Sequence, residues 1–384
     1  MPSAHPSLQV SRWCIVAAFM VALWLPIIQR PAQYPACFYD RGGGSLQAVP
    51  FEESERRFLD LFPRQGLFAV HDRLRLALFG LLPRTVIKGS GGWLFYRSEA
   101  AHDGDTMDDL LGRSQPSAGT VARWLAVMER RKAWCAGQGL AYAVMVAPNK
   151  QTLHGDLLPI YFRRQPHQPP TRLDQVSALL PSSGRFLFID LRDPLAAARR
   201  REQVYFRTDT HWNDVGALVA DSAAVTRLKL LFTALAALKR DDFREQEEER
   251  SGDIAALAHA SARFRERAVR LVPSHDFPAR GPDGQLLLAA GVVPSTPLPI
   301  SRYDADVVAC DNPTAPAPTA LVFHDSFGLG LMPYLAQHFR HTVFVRKRFD
   351  PAVVAAEKPQ LIIDVVAERY LERLFADAEL PPVP

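Results

Sequence analysis

Leu321-Val322-Phe323-His324-Asp325-Ser326-Phe327-Gly328 decides how the rest of the chain is read. Apolar residues of strand character run into a short polar stretch, and the small and apolar residues after Ser326 open a helical pattern. A strand that turns directly into a helix lifts the side chain at the turn out of the sheet. It also aims the first helical N–H groups at any negative charge formed beside that side chain. Ser326 is therefore a candidate nucleophile. A hydroxyl needs a base, and the base needs an orienter. Thr208-Asp209-Thr210-His211-Trp212-Asn213 offers both. In an extended segment, side chains two apart share a face, so Asp209 and His211 would point at one place. In the chemistry expected from this set, His211 takes the Ser326 proton and Asp209 holds the imidazole tautomer. Backbone N–H groups after Ser326 then meet the oxyanion. No cofactor and no metal is required. A metal reading would add His324 or Asp325 to Asp209 and His211, but it leaves the strand-to-helix position of Ser326 without a purpose. Asp-Ser and Asp-x-His are each common as helix caps or surface pairs. The weight lies in their conjunction beside strand-like runs.

Working outward, helical and strand patterns alternate. Residues 121–138 are helical in period, 140–147 form a continuous apolar run ended by Pro148-Asn149-Lys150, and 186–191 form a second short apolar run. Residues 212–238 are Ala/Leu-rich and helical. Strand patterns return at 319–323, 342–345 and 360–366, with a helix expected at 328–339. This alternation predicts an α/β fold with a mostly parallel sheet and helices on both faces. Residues 244–250, REQEEER, read as a solvated helix face. Residues 273–318 read as a proline-rich insertion of loops or irregular β structure. Gly89-Ser90-Gly91-Gly92-Trp93-Leu94-Phe95-Tyr96 reads as a glycine turn entering an aromatic strand that packs in the core.

The chain has 384 residues, 48% of them hydrophobic, and a net charge of +4. It is long enough for a large core, and so small a charge gives no reason to invoke nucleic acid. The N-terminus departs from the average. Residues 13–28 read WCIVAAFMVALWLPII without a charge, between Arg12 and Arg30. The run falls short of the roughly 20 residues that span a bilayer squarely. Because no clear small-residue cleavage site follows, an uncleaved membrane anchor over residues 1–30 is favoured over a cleaved signal peptide. A linker over 31–50 and a helix with charges spaced between Phe51, Phe58, Leu59 and Phe62 would follow, then a second helix near 68–82. The catalytic domain would occupy 51–384, with 244–318 as its insertion. Cys37, Cys135 and Cys310 remain in the exported part, where one disulfide is possible but no pairing is specified.

Taken together, several segments resemble the SGNH-hydrolase-like acetyltransferases of the AlgJ/AlgX type, which O-acetylate exopolysaccharides such as alginate in the periplasm. They are residues 51–61, Val86-Ile87-Lys88-Gly89-Ser90-Gly91-Gly92-Trp93-Leu94-Phe95-Tyr96, Val146-Ala147-Pro148-Asn149-Lys150, Thr208-Asp209-Thr210-His211-Trp212, His324-Asp325-Ser326-Phe327 and Glu368-Arg369-Tyr370-Leu371. The resemblance implies a flavodoxin-like SGNH fold and a triad of Asp209, His211 and Ser326. SGNH enzymes usually carry the serine early and the Asp/His pair late, so the order here implies a circular permutation. After Leu361-Ile362-Ile363-Asp364-Val365-Val366, Ala367-Glu368-Arg369 stands where those enzymes offer an oxyanion-hole asparagine. This makes Arg369, and more weakly Asn149, candidates for substrate or oxyanion binding. His324 stands where the related motif commonly has glycine, and His154 falls where an aromatic is usual.

The leading expectation is a membrane-anchored periplasmic O-acetyltransferase passing acetyl from Ser326 to a polysaccharide hydroxyl. The resemblance further implies a multispanning membrane acyltransferase as the partner that supplies acetyl groups. The alternatives are an acetylesterase with the same triad and a non-catalytic polysaccharide-binding scaffold of an export machine.

Overall fold

The computed structural model describes residues 21, 39–42, 45–50, 52–54, 56–57, 64–98 and 106–375. The apolar run 13–28 lies, Val21 aside, outside the described residues. Among those described, no helix is long and apolar enough to cross a membrane. The chain divides into two compact units, residues 1–82 and 83–384. The first contains an antiparallel hairpin, β1 (Tyr39–Gly42) and β2 (Ser45–Ala48), in the stretch expected as linker. It also contains a helix, α1 (Arg64–Phe79).

The second unit is built on a seven-stranded sheet. Its parallel strands are β5 (Ala141–Ala147), β6 (Phe186–Asp190), β11 (Ala317–His324), β12 (Phe339–Val345) and β13 (Leu361–Ala367). The order across the sheet is β6-β5-β13-β11-β12, continued by antiparallel β10 (Ala305–Asp311) and β9 (Ile300–Arg302). All seven residues of β5 and of β13 are buried. Such near-continuous apolar runs are what a strand covered on both faces requires. Successive side chains alternate between two cores. Ala143, Met145, Val322 and Ile363 face one that includes Leu195 of α4 (Arg192–Arg199), Val215 and Leu218 of α5 (Asp214–Leu228) and Leu331 of α6 (Phe327–Leu335). Tyr142, Val144, Leu321 and Ile362 face another with Trp124 and Met128 of α2 (Ala118–Gly137), Val176 of α3 (Arg172–Leu179) and Val353 of α7 (Pro351–Glu357).

Two expectations are corrected. Residues 243–250 are not a helix face. They form β7 (Phe243–Arg250), paired antiparallel with β8 (Glu266–Pro273) in a separate two-stranded sheet. Nor is 244–318 one insertion, because β9 and β10 extend the central sheet. A smaller hairpin, β3 (Val86–Lys88) with β4 (Leu94–Tyr96), follows the expected glycine turn, with Trp93 and Phe95 in the core. Cys135 and Cys310 are both buried free thiols.

Candidate active site

Ser326 sits where β11 ends and α6 begins, at the carboxyl edge of the parallel strands, the side on which open α/β sheets hold ligands. The turn is fixed by Asp325. Its Oδ2 accepts the Ala367 N–H at 2.6 Å, its Oδ1 accepts the Phe327 N–H at 2.9 Å, and its own N–H is donated to the Val365 carbonyl. The aspartate thus ties the end of β11 to β13. Ser326 stands at the N-cap position with helical φ/ψ, and its side chain makes no cap hydrogen bond. The commonest structural use of a serine at a helix start is therefore absent. The expected backbone oxyanion hole is corrected as well. The Phe327 N–H is committed to Asp325, and the Gly328 N–H is donated to the Asp325 carbonyl at 3.2 Å.

Asp209 and His211 do meet, though in a tight turn closed by a bridge between Tyr205 and Trp212 rather than in a strand. Oδ1 of Asp209 accepts the His211 backbone N–H at 3.1 Å and lies 2.7 Å from Nδ1. That contact places the ring proton on Nδ1 and leaves Nε2 as the acceptor. Nε2 is buried and has no hydrogen-bond partner. His211 and Ser326 line one cavity of about 340 Å³ with Tyr96, Thr210, Arg369 and Tyr370. Nothing in the fold occupies the proton-accepting atom of the base.

The dyad turn hangs from donors and acceptors remote in sequence. Nζ of Lys150 donates to the carbonyls of Phe206, Arg207 and Asp209 at 2.9, 2.9 and 2.7 Å. Glu266 on β8 accepts the N–H groups of Arg207 and Thr208 and the Thr208 hydroxyl. Gly252 packs so closely on Asp209 that a Cβ there would lie 2.4 Å from the Asp209 Cβ. Arg250, at the end of β7, donates to Oδ2 of Asp209 at 3.1 Å and stacks 3.7 Å from the Phe206 ring centroid. Burial by itself raises the Asp209 pKa, but the hydrogen bond and charge of His211 and the charge of Arg250 outweigh it and hold the carboxyl well below the usual range. Asp253 brings a second carboxylate 3.4 Å from Nδ1 of His211 and accepts the Thr210 N–H at 2.6 Å. Burial and the neighbouring Asp209 raise its pKa. Among the described residues, the metal-capable donor atoms that converge are those of Asp209, His211 and Asp253, without His324 or Asp325.

Arg369 lies in the Ser326 cavity, and Asn149 does not. The Arg369 guanidinium packs 4.8 Å from the Tyr370 ring centroid and 5.4 Å from that of Phe327, and its Nε is buried without a partner. Asn149 lines a void of about 10 Å³ between Arg369 and Thr210, room for about one water. Its N–H is donated to Glu368 Oε2 at 2.7 Å, which also accepts the Thr152 hydroxyl at 2.6 Å. His154 packs 4.3 Å from Trp93, as an aromatic would, and burial, aided by Arg199, pushes its pKa down to about 3. Sequence reasoning missed Lys150 as an anchor, and it missed Arg250, Gly252, Asp253 and Glu266 altogether. Only Lys150 carried a signal, within the Pro-Asn-Lys segment.

Burial, followed by the charge of Asp109, raises the Glu368 pKa from 4.5 to about 7. Its protonated form is favoured by folding, so this contribution to stability is complete below pH 4.5 and is lost as pH rises through about 7. The loss is on the order of 3 kcal/mol, at about 1.36 kcal/mol for each pH unit between 4.5 and about 7. Glu368→Gln keeps a carbonyl oxygen for both donors and removes the titration. Its melting temperature is expected to lack the drop of several degrees that wild type shows between pH 4.5 and 7, as scanning calorimetry would measure.

The family model for the SGNH hydrolase-like domain of acetyltransferase AlgX matches residues 86–295, more than half of the chain. The chain belongs to this family. The match includes Asp209 and His211 and ends before Ser326 and Arg369. No curated protein matches the chain in sequence. Among solved structures, Bacillus cereus PatB1 with a sulfonyl adduct superposes with a TM-score of 0.54 at 14% identity, over 78% of this chain and 99% of that one. The O-acetyltransferase domain of Pseudomonas putida AlgJ gives 0.40 at 18% identity, over 77% of this chain and 94% of that one. Pseudomonas aeruginosa AlgX gives 0.40 at 14%, over 76% and 65%. At such identity the PatB1 likeness shows the fold alone, and the family model makes it an SGNH-hydrolase-like α/β arrangement, here with a mostly parallel sheet.

Proposed function

We propose that this member of the AlgX family is an O-acetyltransferase that carries acetyl on Ser326 and passes it to a hydroxyl of an exopolysaccharide. The observation that carries this reading is that His211 lines one cavity with Ser326 while its Nδ1 is held by Asp209 and its Nε2 has no hydrogen-bond partner. Ser326 Oγ attacks the acetyl carbonyl of the donor as Nε2 takes its proton, and Asp209 stabilises the resulting imidazolium. Arg369, which pairs with no carboxylate among the described residues, supplies charge to the oxyanion in place of the occupied N–H groups. The donor's leaving group departs with the proton from His211. In the second half, Nε2 takes the proton of the sugar hydroxyl, which attacks the acetyl-serine, and Ser326 regains its hydrogen. The acetyl donor is delivered by a multispanning membrane acyltransferase. The chain works in the periplasm, held to the inner membrane through residues 1–30, with 31–50 as a tether and 51–384 as the catalytic domain. The position of Ser326 late in the chain fits a permuted SGNH order, with β13 between β5 and β11.

The test is to incubate the full-length protein with p-nitrophenyl acetate, quench in acid and map peptides by mass spectrometry. Acetyl on the peptide holding Ser326 is expected, and it should decay faster, with formation of acetylated sugar, once an oligosaccharide acceptor is added. Acetyl found on another residue would overturn the nucleophile. Free acetate alone with every acceptor would make the enzyme an esterase.

A further inference from the structure

Ser326 is reached from two sides. Beyond the His211 cavity, a second cleft of about 760 Å³ opens beside it at the carboxyl ends of β11, β12 and β13, and Ser326 and Tyr370 line both. Its volume falls within the range of small-molecule sites, about 300–1,000 Å³. Five of its lining side chains are cationic and three are carboxylates. The carboxylates are already engaged: Asp325 by the Phe327 and Ala367 N–H groups, Asp350 by Lys347 and the Ala352 N–H, and Asp364 by the Tyr142 hydroxyl and Arg131. His324 adds no charge at neutral pH, because burial lowers its pKa.

The surplus charge comes from Arg346 and Arg348, which flank the Asp350-paired Lys347 where the chain leaves β12. Arg346 is half-exposed, with only a long 3.8 Å contact to Asp306. Arg348 is exposed and has no hydrogen-bond or ion-pair partner among the described residues. Arg373, also in the lining, stacks 3.7 Å from the ring centroid of Tyr370, which lines both spaces. Planar guanidinium groups around a concave space match the geometry of carboxylate and phosphate oxygens.

We propose that this cleft binds an anionic group, carboxylate or phosphate, carried by one of the two reactants that exchange acetyl at Ser326, and that this reactant reaches Ser326 through a space that His211 does not line. The inference rests on the nucleophile reading for its purpose, but not for its test. Binding is measured by titration calorimetry on the full-length protein and on its Ser326→Ala variant, with three probes: tetragalacturonate, the neutral tetrasaccharide maltotetraose, and pyrophosphate. An anionic probe is expected to bind both proteins alike and to lose about tenfold or more in affinity in an R346A/R348A double variant and at high salt. Binding of tetragalacturonate alone assigns the anion to the sugar, and binding of pyrophosphate alone assigns it to the acetyl donor. Equal binding of maltotetraose and the anionic probes, no binding of either anionic probe, or unchanged affinity in the double variant would overturn the proposal. An inactive wild type that still binds anions through Arg346 and Arg348 would sink the nucleophile reading and leave the cleft standing.

Discussion

Replacing Ser326 by alanine is expected to lower the rate of acetyl transfer by on the order of 10⁶-fold while leaving the melting temperature within a degree or so of wild type. The two halves of this expectation have separate causes. Activity falls because the hydroxyl is the atom that forms the acyl bond. Stability holds because the side chain, half-buried and free of a helix-cap bond, contributes nothing that a methyl group lacks. The turn is braced by Asp325, whose two oxygens hold N–H groups of α6 and β13. Ser326→Ala and His211→Ala should each cost about as much as the pair together, since a nucleophile and its base fail as a unit. Asp209→Asn should differ in kind. It removes the partner of Arg250 and weakens the acceptor for two N–H groups of His211, so it should lower the melting temperature as well as the rate. Steady-state kinetics beside calorimetry on the same preparations reads both. A Ser326→Ala variant with full acetylation of polymer in cells would leave only the scaffold reading.

Ser326, His211 and Asp209 were legible because each lies beside a feature that local sequence records. An apolar run ends, a helix begins, and two side chains sit two residues apart. The central strands were legible for a similar reason, since burial on both faces leaves a nearly unbroken apolar run such as residues 141–147. β7 was not, because a two-stranded hairpin with exposed faces carries no apolar alternation, and FREQEEER offers charges at both parities. What makes that segment a strand is its partner β8 and the ion pairs between Arg270 and Glu248 and between Arg265 and Glu249. The support of the dyad was illegible in the same way. Arg250, Gly252, Asp253 and Glu266 act on a turn more than 40 residues upstream through contacts that exist only once the hairpin is folded back. Close approach of Gly252 to Asp209 leaves no local trace beyond a Ser-Gly-Asp that any turn could contain. The oxyanion expectation failed on a nearer cause. The helix N-terminus is present, but Asp325 takes its first N–H before a substrate can.

Lys150→Met is the substitution expected to separate placement of the dyad from its chemistry. The ammonium is buried, 3% exposed, and stabilises the turn by meeting three carbonyls from Phe206 to Asp209. It lies over the faces of Trp93 and Phe95, 5.3 and 5.4 Å from their ring centroids. Methionine fills nearly the same volume but donates nothing. The carbonyls of Phe206 and Asp209 would then be left without partners at about 1–3 kcal/mol each, while that of Arg207 keeps the Leu94 N–H; partly offset by relief from burying a charge, a net loss of roughly 2–4 kcal/mol is expected. The turn that carries His211 would relax, and a displacement of about 1 Å is enough to cost on the order of 10² in kcat, with KM changed far less. Arginine should not rescue, because a planar fork cannot aim three donors at carbonyls gathered around one point. The charge state supplies an independent readout. Burial lowers the Lys150 pKa from 10.5 to about 7, against the pull of Glu266, Asp209 and Asp253. Between those values the unfolded chain keeps a proton that the folded chain has shed, so this group makes stability rise with pH from about 7 to 10.5. Over the same window a neutral amine has two protons for three carbonyls, so transfer by the wild type should decline while its melting temperature gains. Lys150→Met should show neither trend, and a variant that kept both wild-type kcat and the wild-type pH profile would show that the turn is held without this lysine.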